Sequence, residues 1–281
     1  MKRIVMRFSV LFLCLVFFTV SVQSQVTPRI LLVGDSWPDI MWNERSFQKV
    51  LDQSGLSQFE EKGSVTSISG TTAQQWIQPA YLHSINDEME KYPTIDIVCL
   101  WIGGNDFVPS IKASDTKQQI DNLKANILNN ISTIADHVLS IRSDIRLLLV
   151  DYDYLAVALP GFSFAEINQI INVFAKQKLE LTEIKDRMFY LSNFGLMQHT
   201  YGVPNQYAAG ELPAPGGPPN HDPIGGGDPN YGSPASAYRD FLHLTTEGYL
   251  VLAQRCVDMY LEDWLLHPMD QSSVQSWELF N

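Results

Sequence analysis

Residues 30–36 read Ile-Leu-Leu-Val-Gly-Asp-Ser, and this stretch decides the fold. The run over residues 29–33 is apolar at successive positions instead of alternating, the pattern of a strand covered on both faces. Gly34 then permits a sharp turn, and Ser36 stands where the strand ends. Similar runs recur at residues 65–68, 95–102, 145–150 and 188–191. Helical patterns lie between them. The clearest places Ile120, Leu123, Ile127, Ile131, Ile134 and Val138 at steps of three and four, with Ser114 or Asp115 as N-cap. A second carries Ile167, Ile170, Ile171, Phe174, Leu181 and Ile184, and a closing helix is expected from near Thr246. Five strands alternating with helices predict an α/β fold with a doubly wound parallel sheet. Such sheets bind ligands at the carboxyl ends of their strands.

The N-terminal residues stand apart from this pattern. Lys2, Arg3 and Arg7 precede an almost unbroken apolar run over residues 8–22, and Val22-Gln23-Ser24 offers small residues for cleavage. The segment reads as a signal peptide of residues 1–24, followed by a single domain over 25–281. The apolar run is shorter than a membrane span requires, so no stable membrane insertion is expected after cleavage, and the protein is expected to be secreted or periplasmic. Cleavage removes three cations and no anions, which takes the formal charge from −12 to −15. So acidic a surface repels polyanions and argues against nucleic acid as a partner. The remaining cysteines, Cys99 and Cys256, fall in an apolar strand and a helix and read as buried thiols; an oxidising compartment would also permit a disulfide, which a chain this size does not need.

One stretch breaks the rhythm. Residues 202–234 are rich in Gly and Pro, interspersed with Asn, Asp and Tyr, which continues neither a helix nor a central strand. It is too long for an ordinary connection and reads as a functional loop or a disordered flap beside whatever Asp240 does. On that reading, trimming residues 210–227 should alter substrate preference more than stability. Asp222 and Asp228 flank a glycine run without the spacing of a calcium loop, and no metal is expected.

Three further positions carry chemistry. Asn105 lies in Ile102-Gly103-Gly104-Asn105-Asp106 at a strand end, where its neutral amide can donate to an oxyanion; the same residues are also good turn formers. Gly70 follows another apolar run and would let a backbone N–H approach a substrate oxygen. Asp240 and His243 stand three apart before the closing helix, close enough for a carboxylate to fix the imidazole tautomer. Taken with Ser36, these supply a nucleophile, a base, an orienting carboxylate and oxyanion donors.

The set resembles the SGNH, or GDSL-type, hydrolase family. Gly34-Asp35-Ser36 is similar to that family's first block, Gly70 to its second, Gly103-Gly104-Asn105-Asp106 to its third and Asp240-Phe241-Leu242-His243 to its last. The resemblance implies a flavodoxin-like three-layer α/β/α sandwich on a five-stranded parallel sheet. It also implies Ser36 as nucleophile, His243 as base and Asp240 as its orienter. The oxyanion hole would be the Ser36 and Gly70 N–H groups with the Asn105 side chain, and no cofactor would be needed. The chain departs from the family by continuing with Trp37-Pro38 where Leu is usual, so Trp37 either lines the acyl pocket or packs. Tyr201 and Tyr231 are candidates for stacking on a sugar ring or for pinning the loop. The expected substrates are short-acyl or carbohydrate esters. The alternatives are a lysophospholipase or thioesterase of the same mechanism, and a non-catalytic glycan-binding protein on the same fold.

Overall fold

A computed structural model describes residues 26–269, so the expected leader lies outside the described residues. Five strands, β1 (Thr27–Gly34), β2 (Phe59–Lys62), β3 (Ile97–Trp101), β4 (Arg146–Val150) and β5 (Met188–Leu191), form one parallel sheet in the order β2-β1-β3-β4-β5. Between β1 and β2 lie α1 (Ser36–Asn43) and α2 (Ser46–Gln53); between β2 and β3, α3 (Ala73–Trp76) and α4 (Pro79–Lys91). The short α5 (Gly104–Phe107) and long α6 (Lys117–Ile141) precede β4, and α7 (Phe164–Glu183) precedes β5. After β5 come α8 (Leu196–Tyr201), α9 (Thr246–Cys256), a π-helical turn at Val257–Leu261 and α10 (Glu262–Leu266).

Successive strand residues face opposite ways, and both faces are covered. Ile30 and Leu32 of β1, with Cys99 and Trp101 of β3, pack against α1, α2 and α9. Leu31, Val33, Val98 and Leu100 pack against α3, α4, α6 and α7. This is the three-layer α/β/α sandwich, and it explains why β1 and β3 lack polar alternation. The strand order reverses direction between β1 and β3, which opens a crevice beyond their carboxyl ends. The register sets Gly34 opposite Trp101, so the turns after the two strands emerge side by side. Gly34 is required there: φ is +138°, and a Cβ would fall 1.7 Å from the Trp101 carbonyl oxygen.

Two expectations need correction. The second strand is Phe59–Lys62, not residues 65–68; of the latter only Ser67 makes a bridge, to Gly34. Phe-Glu-Glu-Lys escapes an apolar search because β2 is an edge strand, where charge is tolerated and discourages pairing with another chain. Its Glu61 is buried all the same, accepting from the Gln48 N–H at 3.3 Å. The N-cap of α6 is Thr116, not Ser114 or Asp115: the Thr116 side chain and Gln119 satisfy each other's backbone N–H groups.

The 202–234 segment is a packed loop, not a flap. Gln198 of α8 donates to the Asp228, Tyr231 and Gly232 carbonyls, and Asn168 of α7 to those of Pro229 and Tyr231. The buried Arg255 holds the Pro215 and Gly216 carbonyls at 2.7 and 2.9 Å. Gly and Pro give the segment its shape, and long polar side chains from three helices satisfy its backbone. Cys99 and Cys256 are buried free thiols in one apolar cluster. Among the described residues, no helix is long and apolar enough to cross a membrane.

Candidate active site

Ser36 opens α1 directly after the β1 turn. Asp35 caps that helix, its carboxylate accepting from the Trp37 N–H at 3.1 Å, and the cap holds Ser36 at the helix N-terminus, where negative charge is favoured. Its hydroxyl lies 2.8 Å from His243 Nε2, and His243 Nδ1 lies 2.8 Å from Asp240 Oδ2. Two residues 207 positions apart in sequence thus meet across the strand-end crevice.

The Asp240–His243 turn is the tip of a small hairpin. Tyr238 bridges Leu244, and the Arg239 N–H donates to the His243 carbonyl at 2.9 Å. The Arg239 guanidinium ties the Leu244 carbonyl at 2.6 Å and Glu44 at 2.7 Å, which fixes the hairpin against the end of α1. Asp240 Oδ1 accepts the Leu242 and His243 N–H groups, each at 2.7 Å. Partial burial opposes ionisation of Asp240. Hydrogen bonds from the His243 ring and these two amides outweigh it and hold the carboxyl below the usual range.

The third element is the turn after β3. Gly103 adopts φ +106° and opens α5, and a Cβ there would meet Ile127 at 2.9 Å. Asn105 donates through Nδ2 to the Thr71 carbonyl at 2.9 Å, which leaves the amide's second N–H free of that bond. Asp106 receives the Ala73 and Gln74 N–H groups at the start of α3, at 2.7 and 3.3 Å. These bonds lock the Asn105 turn to the Gly70-Thr71 turn. Gly70 is exposed there, and its N–H donates to no backbone carbonyl among the described residues. Ser36, Asn105 and His243 line one crevice; Asp240 stands behind His243, and the turn carrying Gly70 adjoins it through the Asn105–Thr71 bond, without Gly70 itself lining it.

Beside Ser36 opens a cavity of about 420 Å³, within the range typical of small-molecule sites. Trp37 belongs to its wall and is also buried, packed edge-on against Tyr152 and Tyr249, so it both lines and packs. Tyr201 and Tyr231 are not among the lining residues. Tyr201 ends α8, and Tyr231 packs against Tyr207 and bonds Gln206 at 3.1 Å, so it pins the loop.

Sequence reasoning missed the residues that follow β4. Asp151, Tyr152 and Asp153 all line the cavity. The Tyr152 hydroxyl donates to Asp35 and accepts the Gly104 N–H at 3.2 Å, linking the nucleophile turn to the Asn105 turn. Burial pushes the Tyr152 phenol far up, so it remains a donor. Burial also pushes Asp35 up to about 7, against the opposing pull of its bonds to Tyr152 and Trp37 and of His243. Asp153 rises to about 6 for the same reason, although the Met197, Tyr154 and Gly195 N–H groups and Ser233 bond to it. The available signal was an Asp-Tyr-Asp-Tyr run at a strand's carboxyl end, where a solvent-facing turn has no need of two aromatics.

The profile of the GDSL-like lipase/acylhydrolase family matches residues 30–256. The chain belongs to that family. The family match spans all four turns just described. Solved structures share the fold. A lipase from a goat rumen metagenome aligns with TM-score 0.52 and 11% identity over 83% of this chain and 98% of its own. A gut microbial diltiazem-metabolizing enzyme aligns with TM-score 0.53 and 12% identity over 85% of this chain and 47% of its own. A family 3 carbohydrate esterase of Clostridium thermocellum is similar at TM-score 0.47 and 19% identity, over 84% and 96%. For the first two, at these identities, the likeness is one of fold. No curated protein matches the chain in sequence.

Proposed function

We propose that this member of the family is a serine ester hydrolase. The observation that carries the reading is the His243 ring, held between the Ser36 hydroxyl and the Asp240 carboxylate at 2.8 Å on each side. Ser36 Oγ attacks the ester carbonyl as His243 Nε2 takes its proton, and Asp240 stabilises the imidazolium. The tetrahedral oxyanion is met by the Asn105 amide and the Ser36 and Gly70 N–H groups. His243 returns the proton to the departing alcohol, leaving an acyl-Ser36 ester. Water, deprotonated by His243, then releases the carboxylic acid and restores the serine.

The cavity supports an acyl group of medium length over acetate. Its volume is about 420 Å³, and it is largely apolar and lined in part by Ser36; apolar area withdrawn from water there favours longer chains. The tyrosines that suggested a sugar lie elsewhere, so the carbohydrate reading loses its main support, and the alcohol half of the ester is left to the exposed rim. The leader-like residues 1–24 support a secreted or periplasmic location, which the N-terminus of the mature protein, read by mass spectrometry, checks.

The test is hydrolysis of p-nitrophenyl acetate, butyrate and octanoate by the wild type and by Ser36→Ala, with fluorophosphonate labelling alongside. Turnover that disappears in the variant, rising from acetate to octanoate, is the expected result. Absence of both turnover and Ser36 labelling would leave a binding protein on the same fold.

A further inference from the structure

The cavity beside Ser36 does not end in hydrocarbon. Phe107, Leu155, Ile171 and Phe174 make its walls apolar, but Lys178 of α7 and Asp151 also line it, with side chains only 4% and 1% exposed. Lys178 pairs with Asp151 Oδ1, and Asp151 Oδ2 accepts the Tyr190 hydroxyl at 2.6 Å. An ammonium has three N–H donors. One meets Asp151. The nitrogen sits 4.4 Å from the Phe174 ring centroid, a cation–π contact that takes up a second direction. Among the described residues Lys178 has no second oxygen acceptor. A donor of a buried cation is thus left facing a cavity, an arrangement that is costly unless a ligand completes it.

We propose that Lys178 forms a polar subsite at the foot of the acyl pocket, and that the acyl group this enzyme prefers carries an uncharged oxygen acceptor, such as an oxo group, near its far end. The inference rests on the ester-hydrolase reading of Ser36 and adds the chemistry of the acyl chain. The acceptor is uncharged because Asp151 already balances Lys178, and Asp153 lies buried among the same lining residues. A distal carboxylate would bring an unbalanced charge into buried space. The length follows from the sheet. Ser36 follows β1 and Asp151 follows β4, two strands away, so about 10 Å separates them at ~4.8 Å per strand. A zigzag of ~1.5 Å bonds advances roughly 1.3 Å per carbon, giving a chain of about eight carbons.

The test measures binding to Ser36→Ala, which holds an ester without turning it over. Methyl octanoate, methyl 7-oxooctanoate and monomethyl suberate are compared by calorimetry. The oxo ester should bind at least as tightly as methyl octanoate, because Lys178 replaces the water its carbonyl gives up. Adding Lys178→Met should weaken the oxo ester about tenfold or more beyond any change in methyl octanoate, the loss of a hydrogen bond to a charged donor. An oxo ester bound tenfold more weakly than methyl octanoate by Ser36→Ala itself would overturn the subsite, and that comparison needs no change at Lys178. Tighter binding of the suberate monoester would overturn the uncharged assignment. Wild-type turnover of methyl octanoate judges the ester-hydrolase reading separately, since the binding comparison does not depend on it.

Discussion

Asp35→Asn is expected to stabilise the fold progressively as pH rises from 4 to 8. Asp35 is only 2% exposed, and burial pushes it up to about 7 from 3.8. Between those values the native state keeps a proton that the unfolded chain has released. Stability therefore falls as pH rises through that window and levels off above about 7. A gap of about three pKa units at 1.36 kcal/mol each amounts to about 4 kcal/mol between pH 4 and pH 8. Asn never ionises and keeps an oxygen to accept the Trp37 N–H. It does place an amide where the Tyr152 hydroxyl now donates, a mismatch of about 1 kcal/mol that is independent of pH. Asp153, also raised, adds a slope of the same sign to both proteins and cancels in their difference. Urea unfolding at several pH values, with the m-value checked for constancy, gives the difference directly. It should shift toward the variant by about 4 kcal/mol from pH 4 to pH 8. Parallel curves would refute the reasoning, because they would mean that Asp35 ionises in the native state as readily as in the unfolded chain.

Other expectations follow from the same contacts. Ser36→Ala should abolish ester hydrolysis while leaving the melting temperature within a few degrees of wild type, since among the described residues its hydroxyl bonds His243 alone; retained turnover would remove Ser36 from the mechanism. Asn105→Ala should lower kcat by about 10²–10³ with KM little changed, whereas a rise in KM at constant kcat would make it a ground-state binding residue. Tyr152→Phe breaks the link between Asp35 and the Gly104 N–H; steady-state kinetics should show kcat reduced about tenfold at similar KM, and the variant should be less stable by about 2 kcal/mol. Trimming residues 210–227 removes two of the three carbonyls that Arg255 bonds, leaving only that of Ser192, and should lower Tm by about 10 °C, at 2–4 °C per kcal/mol. It should leave chain-length preference intact, because none of those residues lines the cavity.

The last of these reverses what the sequence alone suggested, and the reason is general. A Gly/Pro-rich segment announces that it forms neither helix nor central strand, but not what satisfies its backbone. Here the partners are Gln198, Asn168 and Arg255, polar residues on helices that a periodicity search treats as ordinary surface positions. The same blindness hid β2, whose Glu-Glu-Lys is admissible only because the strand lies at an edge. Burial of polar groups depends on neighbours distant in the chain, and one sequence does not display those neighbours.

The crevice was legible for the opposite reason. Each of its turns obeys a local rule: a glycine where a strand must bend, a side chain whose acceptor lies within three residues, a carboxylate beside the histidine it orients. Asp240 and His243 need only their own hairpin, and Gly34 needs only the neighbouring strand. Sheet topology then does the joining, since strands β1 and β3 are adjacent and release their turns at one edge. What local rules could not supply is the depth of the pocket. Lys178 sits on α7 amid residues whose spacing is that of an ordinary amphipathic helix, and only the packing of α7 against β5, with Asp151 beyond β4, turns its ammonium inward. On the reading proposed above, chemistry at the serine is written in short motifs, whereas selection of an acyl chain is written in long-range packing. That division is why the proposed ester reaction could be inferred from the chain, whereas its preferred substrate had to be argued from the three-dimensional arrangement.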